Sequence, residues 1–254
     1  MNIFSKRFIK VWQRNGDVFR TVWKPELPGI IVEPVIIILA MGAGLGGYVG
    51  LVDGQSYIEF IVPGIISNYA MYSATFECTY GSFIRMEYQK TYDAIISTPL
   101  NIQDVIAGEI FWGATRSFIT GIAVLIVSSA FQLVHSPWAV LVPVVVFLEG
   151  LLFASLSMFF TSLVPTIYSF NYYFTLFITP MFFFSGVFFP LDSFPKIVQD
   201  LSWIAPLTPV VRLNRALING DVSSFMFLML GMILVEIVIF FTISMLSMKR
   251  RLTV

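Results

Sequence analysis

The chain has 254 residues, of which 57% are hydrophobic and 12% are charged, and its mean hydropathy is +0.84. Soluble globular domains carry roughly 25% charged residues, so this composition predicts an integral membrane protein. The 15 basic and 15 acidic residues balance, which gives no sign of a nucleic-acid partner. With one cysteine, one histidine and no HExxH, CxxC or GxSxG motif, a self-contained metalloenzyme or hydrolase is not expected.

The N-terminal segment, residues 3–24, places apolar residues at helical spacing with basic residues between them. Its aromatic members are Phe4, Phe8, Trp12, Phe19 and Trp23. This pattern predicts an amphipathic helix that lies in the membrane interface. The alternative is a basic helix in water, which would leave large aromatic side chains solvated. Pro25 and Pro28 are expected to end the helix.

Six apolar runs follow, each near or above the roughly 20 residues that cross a hydrocarbon core. The predicted spans are residues 27–47, 58–82, 105–133, 138–164, 170–189 and 222–247. The predicted fold is therefore all-α and membrane-embedded, with one transmembrane domain over residues 1–254. It has an interfacial N-terminal helix, six transmembrane helices, and short re-entrant or surface helices before the last span.

The basic residues predict the orientation, since they are enriched on the cytoplasmic side. With six spans both termini lie on the same side, which then holds eleven basic residues against three on the other. This asymmetry predicts cytoplasmic N- and C-termini in a multi-pass protein. It also places the polar segment 83–104 in the cytoplasm and segment 190–221 outside.

Segment 190–221 is amphipathic and rich in proline. Its pattern predicts two short helices separated by Pro206 and Pro209. Such helices either dip into the outer leaflet and return, where protein or a water-filled cavity covers their backbone, or lie on the surface. The sequence leaves both arrangements open.

Ionisable side chains inside a bilayer are costly, so each is a candidate for function. Three fall near the middle of predicted spans: Arg116, Glu149 and Glu236. Arg116 is expected either to form an internal ion pair with one of the two acids or to guide polar groups of a substrate. Three further acids are nearer the cytoplasmic ends, where snorkelling, capping or pairing with basic residues is expected: Glu33, Glu77 and Glu109.

The fifth predicted span is unusually aromatic. Tyr172, Tyr173 and Phe177 either form a surface along which sugar rings or acyl chains slide, or face the lipid. The chain has no GxxxxGK[ST] motif, so it is not expected to cradle ATP phosphates itself. If ATP drives its activity, a second polypeptide must bind the nucleotide.

This arrangement of an interfacial helix, six spans, a helical cytoplasmic loop and a split segment before the last span resembles the membrane subunit of a type-2 ABC exporter. The most specific stretch is PGIISNYAMYSATFECTYGSFIRMEYQKTYDAIISTPLNIQDVIAGEIFW, residues 63–112. It is similar to the NodJ-like branch of ABC-2 permeases, which is associated with lipooligosaccharide export. Branches that export polysaccharides, teichoic-acid polymers or drugs share the architecture.

The resemblance implies a complex in the inner (cytoplasmic) membrane. Two permease copies, forming a homodimer, would join two ATPase subunits that bind ATP and magnesium, while this chain binds no cofactor. A coupling helix within residues 85–98 would dock on the ATPase; a solvated helical hairpin is the alternative. The candidate docking residues are Arg85, Glu87, Tyr88, Lys90, Tyr92, Asp93 and Ile95.

The expected function is that of a permease, not an enzyme, for an amphipathic glycolipid, lipooligosaccharide or polysaccharide. An exporter of drugs or other lipids is the alternative with the same architecture. An ion-coupled transporter or channel is the main rival, and Arg116, Glu149 and Glu236 would then be its titrating groups. A membrane-bound transferase is a third, for which His135 stands alone.

Overall fold

The computed structural model describes residues 6–52 and 54–253, and most of them are helical. In chain order the α-helices are α1 (Phe8–Leu27), α2 (Glu33–Leu39), α3 (Gly46–Val49), α4 (Tyr57–Phe76), α5 (Thr91–Ile96), α6 (Ile102–Ala130), α7 (Val142–Leu163), α8 (Phe170–Tyr173), α9 (Thr179–Phe184), α10 (Lys196–Ser202), α11 (Leu207–Asn219) and α12 (Phe225–Thr253). A two-stranded antiparallel hairpin, β1 (Leu51–Val52) and β2 (Gln55–Ser56), joins α3 to α4.

Shorter helical turns connect or extend these helices. The π-helical turns are Pro28–Val32, Ala40–Leu45, Glu77–Gly81, Ile84–Tyr88 and Phe174–Ile178. The 3-10 turns are Pro137–Leu141, Ile167–Ser169 and Leu191–Ser193.

The first helical rod is continuous from Phe8 to Val49. The prediction that Pro25 and Pro28 end a separate interfacial helix is therefore wrong. Pro25 lies inside α1, and Pro28 is the first residue of a π-helical turn. Proline removes one backbone donor and crowds the preceding turn, and the wider π turn accommodates both effects. Residues 3–5 of the predicted helix lie outside the described residues.

The helix that starts with α4 runs from the hairpin of β1 and β2 to the connection between α4 and α6. We call these two ends of the bundle the hairpin end and the loop end. Among the described residues, four helices are long and apolar enough to cross a membrane: Phe8–Val49, Ile102–Ala130, Pro137–Leu163 and Phe225–Thr253. They contain or largely overlap the predicted first, third, fourth and sixth spans. The second and fifth spans remain predictions. Polar residues lower the mean hydropathy of the helix that starts with α4, and the helix that ends with α9 is short.

The core of the bundle lies around α7, which packs against α6, α12 and α4. Small residues allow these helices to approach closely. A Cβ atom at Gly113 of α6 would lie 2.6 Å from Cys78 Sγ and 2.9 Å from Ala154 Cβ. α1 also packs against α6, where Trp12 Nε1 donates to Thr115 Oγ1 at 2.8 Å. The later part of the first rod contacts α4, so the rod joins the bundle through both α6 and α4.

The segment before the last span forms the two expected short helices, α10 and α11. Pro209 falls within the first turn of α11 rather than between the helices, since proline is compatible with that position. α11 is mostly buried against α4, α7 and α12, and Asn214 Nδ2 donates to Ser67 Oγ at 2.8 Å. α11 is therefore an integral part of the bundle and not a surface helix.

The close approach at Gly113 generates a stability prediction. Gly113→Ala should destabilise the purified protein by about 1–3 kcal/mol, because the added methyl group overfills the contact with Cys78 and Ala154. Gly231→Ala on α12 is the matched control, since no atom lies within 4 Å of its added methyl group and alanine favours the helix. Melting in detergent, followed by tryptophan fluorescence, checks both. Equal melting temperatures for the two variants would contradict this packing.

Candidate functional site

The segment between α4 and α6 begins as a continuation of the α4 helix. The helix extends through the π turn Ile84–Tyr88, and the chain turns at Lys90, whose φ of 52° lies in the left-handed region. α5 follows, and Asn101 and Asp104 form a capping box at the start of α6. The coupling helix predicted within residues 85–98 is thus two helical pieces, because a left-handed residue interrupts the helical hydrogen bonding.

Arg85 is held inside the protein by a buried ion cluster. Its Nη2 atom lies 2.5 Å from Glu109 Oε2 and 2.8 Å from Glu77 Oε1. Glu109 is fully buried, and it also accepts hydrogen bonds from Ser82 Oγ at 2.7 Å and Asn15 Nδ2 at 2.8 Å. Of the three roles expected for Glu77 and Glu109, the structure shows pairing with a basic residue. The cluster fastens the start of the loop to α6 and α1.

The charge state of the loop follows from its surroundings. Burial alone would lower the pKa of Arg85, but the neighbouring carboxylates of Glu109 and Glu77 raise it above its usual value. Burial raises the pKa of Tyr92 well above its usual value. The loop is therefore anchored by a guanidinium that stays charged and by a phenol that stays neutral.

The predicted docking residues divide by exposure into Tyr88, Lys90 and Asp93, which are exposed, Glu87 and Ile95, which are half-buried, and Arg85 and Tyr92, which point inward. Direct contact of Arg85 and Tyr92 with a partner is not supported, because both side chains are occupied inside the protein. Their position indicates that they hold the loop in place. Of the predicted docking residues, Tyr88, Lys90 and Asp93 are therefore the ones available to a partner on the surface.

A second fastening joins the loop to the end of α12. Arg251 Nη2 lies 2.8 Å from Glu87 Oε1. Its Nη1 atom donates to the carbonyl oxygens of Thr161 at 2.5 Å and Val164 at 2.7 Å, and its guanidinium lies over the Phe83 ring at 5.5 Å. Arg251 thus ties the loop, the end of α7 and the last helix together.

Arg116 joins α6 to the first rod. Its Nη2 atom lies 2.5 Å from Glu26 Oε2, its Nε atom lies 3.6 Å from Glu77 Oε2, and its guanidinium stacks over Phe19 at 4.6 Å. Because Glu77 also pairs with Arg85, the two arginines belong to one connected network. The network runs from α1 through α6 to the loop.

The predicted pairing of Arg116 with Glu149 or Glu236 is wrong. The face of α6 that contacts α7 holds small residues, and Gly150 packs there against Ala114 and Ser117, while Arg116 turns towards α1. Glu149 is fully buried on α7, and neither carboxylate oxygen has a hydrogen-bond partner among the described residues. Glu236 is half-buried on α12.

A cleft of about 720 Å³ opens between the first rod and α4. Its polar and charged lining consists of Glu26, Glu33, Asn68, Tyr69, Tyr72, Ser73, Glu77, Arg116 and Thr120. A neighbouring cavity of about 450 Å³ shares Glu26, Glu77 and Arg116 and extends to Arg85 and Gln89. Arg116 therefore both forms ion pairs and lines a cleft. The two roles expected for Arg116, an internal ion pair and contact with polar groups of a substrate, are compatible.

The predicted aromatic path is only partly on the surface. Tyr172 and Phe177 are exposed, but Tyr173 is buried, with its hydroxyl 3.2 Å from Ser157 Oγ. Tyr173 packs inside because Phe160 stacks on its ring at 4.2 Å. A continuous path through all three residues is thus excluded in this conformation.

The sequence did not indicate the roles of three side chains of the site: Asn15, Glu26 and Arg251. Glu26 directly follows Pro25, which was expected to end a helix. The sequence therefore did not indicate that Glu26 and Glu33 lie seven residues apart on one continuous rod. Arg251 contributed only to the charge count. In the part of the chain that the structure describes, no cluster of three or more His, Cys, Asp or Glu residues could hold a metal ion.

The buried cluster generates a second prediction. Glu109→Ala should cost about 3–5 kcal/mol of stability, because it leaves the Arg85 charge buried without its main partner. It should also speed tryptic cleavage after Lys90, since the loop loses its anchor. Asp93→Ala, at an exposed position of α5, is the control and should change neither. The double variant with Arg85→Leu should recover most of the loss; a double variant less stable than Glu109→Ala would contradict the pairing.

Comparison with known proteins identifies the family. Residues 8–219 match the family described as ABC-2 type transporter. The chain is 37% identical to Nodulation protein J of Rhizobium leguminosarum bv. viciae over 248 residues, covering 96% of this chain and 95% of that protein. It is 38% identical to Nodulation protein J of Rhizobium leguminosarum bv. trifolii over 251 residues, covering 98% and 95%.

A more distant relative is the inner membrane transport permease YadH of Escherichia coli (strain K12). It is 27% identical over 221 residues, covering 83% of this chain and 82% of that protein. These matches confirm the resemblance inferred from residues 63–112. The chain belongs to the ABC-2 type transporter family, as a permease similar to Nodulation protein J.

Proposed function

We propose that this chain is the membrane permease of an ATP-driven exporter. In the proposed complex two permease copies join two copies of a separate ATPase subunit, which binds ATP and magnesium. The proposed cargo is an amphipathic glycolipid, a lipooligosaccharide or a polysaccharide, on the strength of the resemblance to the NodJ-like branch. The observation that carries the proposal is family membership combined with an exposed loop surface on a rigidly fastened base.

The loop suits docking because its surface and base have separate roles. Tyr88, Lys90 and Asp93 offer one aromatic ring and two charges of opposite sign to a partner. Beneath them, Tyr92 is buried, and the mostly covered Arg85 is fixed by its ion pair with Glu109. A surface on a preorganised base loses little conformational entropy on binding.

The two fastenings suggest how motion of an ATPase would reach the membrane helices. Arg85 connects the loop to Glu109 on α6, and Glu109 in turn binds Asn15 on α1. Arg251 connects Glu87 of the loop to α12. A displacement of the loop would therefore move the first rod, α6 and the last helix together, as alternating access requires.

The proposed location is the inner membrane, with both termini in the cytoplasm. The predicted spans leave eleven basic residues on the side of the loop and three on the other side, which supports this orientation. The relative YadH is itself described as an inner membrane transport permease. In this orientation the loop faces the compartment that contains ATP.

A rival function as an ion-coupled transporter rests on Glu149, a buried carboxylate with no hydrogen-bond partner among the described residues. Arg116 does not favour that function, because Glu26 and Glu77 already neutralise it. Co-purification separates the two functions. If the chain isolates without an ATPase and its transport persists after ATP depletion, the exporter proposal is wrong. An exporter of drugs or other lipids would differ from the proposed exporter only in which compounds stimulate ATP hydrolysis.

The exposed loop surface generates a third prediction. Asp93→Lys should weaken co-purification with the ATPase by about tenfold, because reversing a charge at an interface opposes the partner's complementary potential. Membrane insertion and melting temperature should not change, since Asp93 is exposed. Asp200→Lys, an exposed position on α10 at the hairpin end, is the matched control. Equal recovery of ATPase with both variants would remove the loop from the interface.

The fastening at Arg251 generates a fourth prediction. Arg251→Gln should leave the ATPase bound but lower the amount of cargo moved per ATP hydrolysed, because loop movement no longer reaches α12. Arg250→Gln, at an exposed neighbouring position, is the control. The reconstituted complex would report both rates. Unchanged coupling in Arg251→Gln would show that α12 is moved by another route.

A further inference from the structure

The cleft between the first rod and α4 has a lining that points to one class of ligand. α4 turns pairs of residues towards it at every helical turn: Asn68 and Tyr69, Tyr72 and Ser73, Phe76 and Glu77. The first rod contributes Glu26 and Glu33, seven residues apart on one face, with Gly29 between them. The volume of about 720 Å³ is in the range of pockets that bind small ligands.

The charges of the cleft are unevenly balanced. Glu26 and Glu77 share the guanidinium of Arg116, and Glu33 remains as excess negative charge beside the Tyr69 hydroxyl. The cleft is therefore acidic, and a phosphate or carboxylate group would meet repulsion in it. A ligand that donates hydrogen bonds would meet acceptors.

Several buried polar atoms of the described cleft residues make no hydrogen bond. Among the described residues, Asn68 Oδ1 and the Nε and Nη1 atoms of Arg116 make no hydrogen bond although they are buried. Buried polar groups without partners are unfavourable, and they are usually satisfied by water or a ligand. Their convergence provides both acceptors and donors, as a ligand with many hydroxyl groups requires.

Aromatic rings complete the lining. Tyr72 and Phe76 stack at 6.0 Å, and Phe182 meets Tyr72 edge-on at 6.4 Å. Ring faces of this kind pack against the apolar face of a sugar ring, while hydrogen bonds at the edge fix its orientation. The cleft thus combines the two contacts that a sugar needs.

We propose that this cleft binds the glycosyl headgroup of the transported amphiphile, as a neutral or amino sugar, and rejects headgroups that carry phosphate. The inference rests on the proposed function for its ligand, but it names the site and the charge of the headgroup independently. Asn68 and Arg116 hydrogen-bond the sugar, Glu33 favours an amine over an anion, and the rings of Tyr72 and Phe76 support the sugar ring.

Binding to the full chain in nanodiscs without ATPase tests this. The probes are octyl β-glucoside, its 2-amino-2-deoxy analogue and octyl phosphate, each competing with radiolabelled octyl glucoside, with empty nanodiscs as background. Both sugars should bind at least about tenfold more tightly than octyl phosphate, because only they avoid charge repulsion. Octyl phosphate binding as tightly as octyl glucoside would overturn the proposal.

Variants locate the binding. Asn68→Leu should weaken octyl glucoside by about three- to tenfold, the value of one hydrogen bond, and Glu33→Gln should reduce only the preference for the amine. Asn219→Leu is the matched control, since Asn219 also has a buried carbonyl oxygen without a partner but lies at the end of α11. If Asn68→Leu fails to fold, Tyr69→Phe replaces it. Wild-type affinity in the folded Asn68 or Tyr69 variant would place the sugar elsewhere.

The outcome is separable from the proposed function. Sugar binding that persists while ATP-driven transport is absent would refute the exporter and leave the cleft assignment intact. ATP-driven transport without sugar binding in the cleft would refute only the cleft assignment.

Discussion

The buried pair of Arg85 and Glu109 is the interaction on which the loop end depends. A charge in a protein interior is tolerated only when it is paired and hydrogen-bonded. Glu109 meets this condition with partners from two other parts of the chain: Asn15 on α1, and Ser82 and Arg85 at the start of the loop. Because these contacts converge on one carboxylate, the loop cannot shift without moving α1 and α6. The loop is therefore a rigid part of the bundle with one exposed face.

Shared ion pairs also connect the loop to the cleft. Arg116 and Arg85 share Glu77, so the charged network continues from the loop into the cavity between the first rod and α4. A ligand that contacts Arg116 and a partner that presses on the loop would act on one connected set of side chains. In the proposed complex this continuity would link the cargo to the ATPase without a long chain of packed residues.

The helical fold and four of its long apolar helices could be predicted from the sequence, because long apolar runs carry direct physical meaning. The pairing of charges could not, since it depends on helix rotation. Arg116 lies within a few residues of the small face that contacts α7, yet it turns towards α1 and Glu26 rather than towards Glu149. The effect of Pro25 was mispredicted for a related reason. The sequence shows that proline lacks a backbone N–H donor, but it does not show the π turn that accommodates this loss. Burial of Tyr92 likewise reflects a tertiary contact that the spacing of polar residues does not reveal.

The position of the buried pair also bears on how the protein enters its membrane. Arg85 and Glu109 lie on either side of one short connection, only 24 residues apart. Glu109 would be costly in lipid alone, but Arg85 neutralises it within a single helical hairpin. α4 and α6 are therefore suited to leave the insertion machinery as a pair, with the charges already matched. The contact that later holds the loop rigid would first serve to make these two helices acceptable to the bilayer.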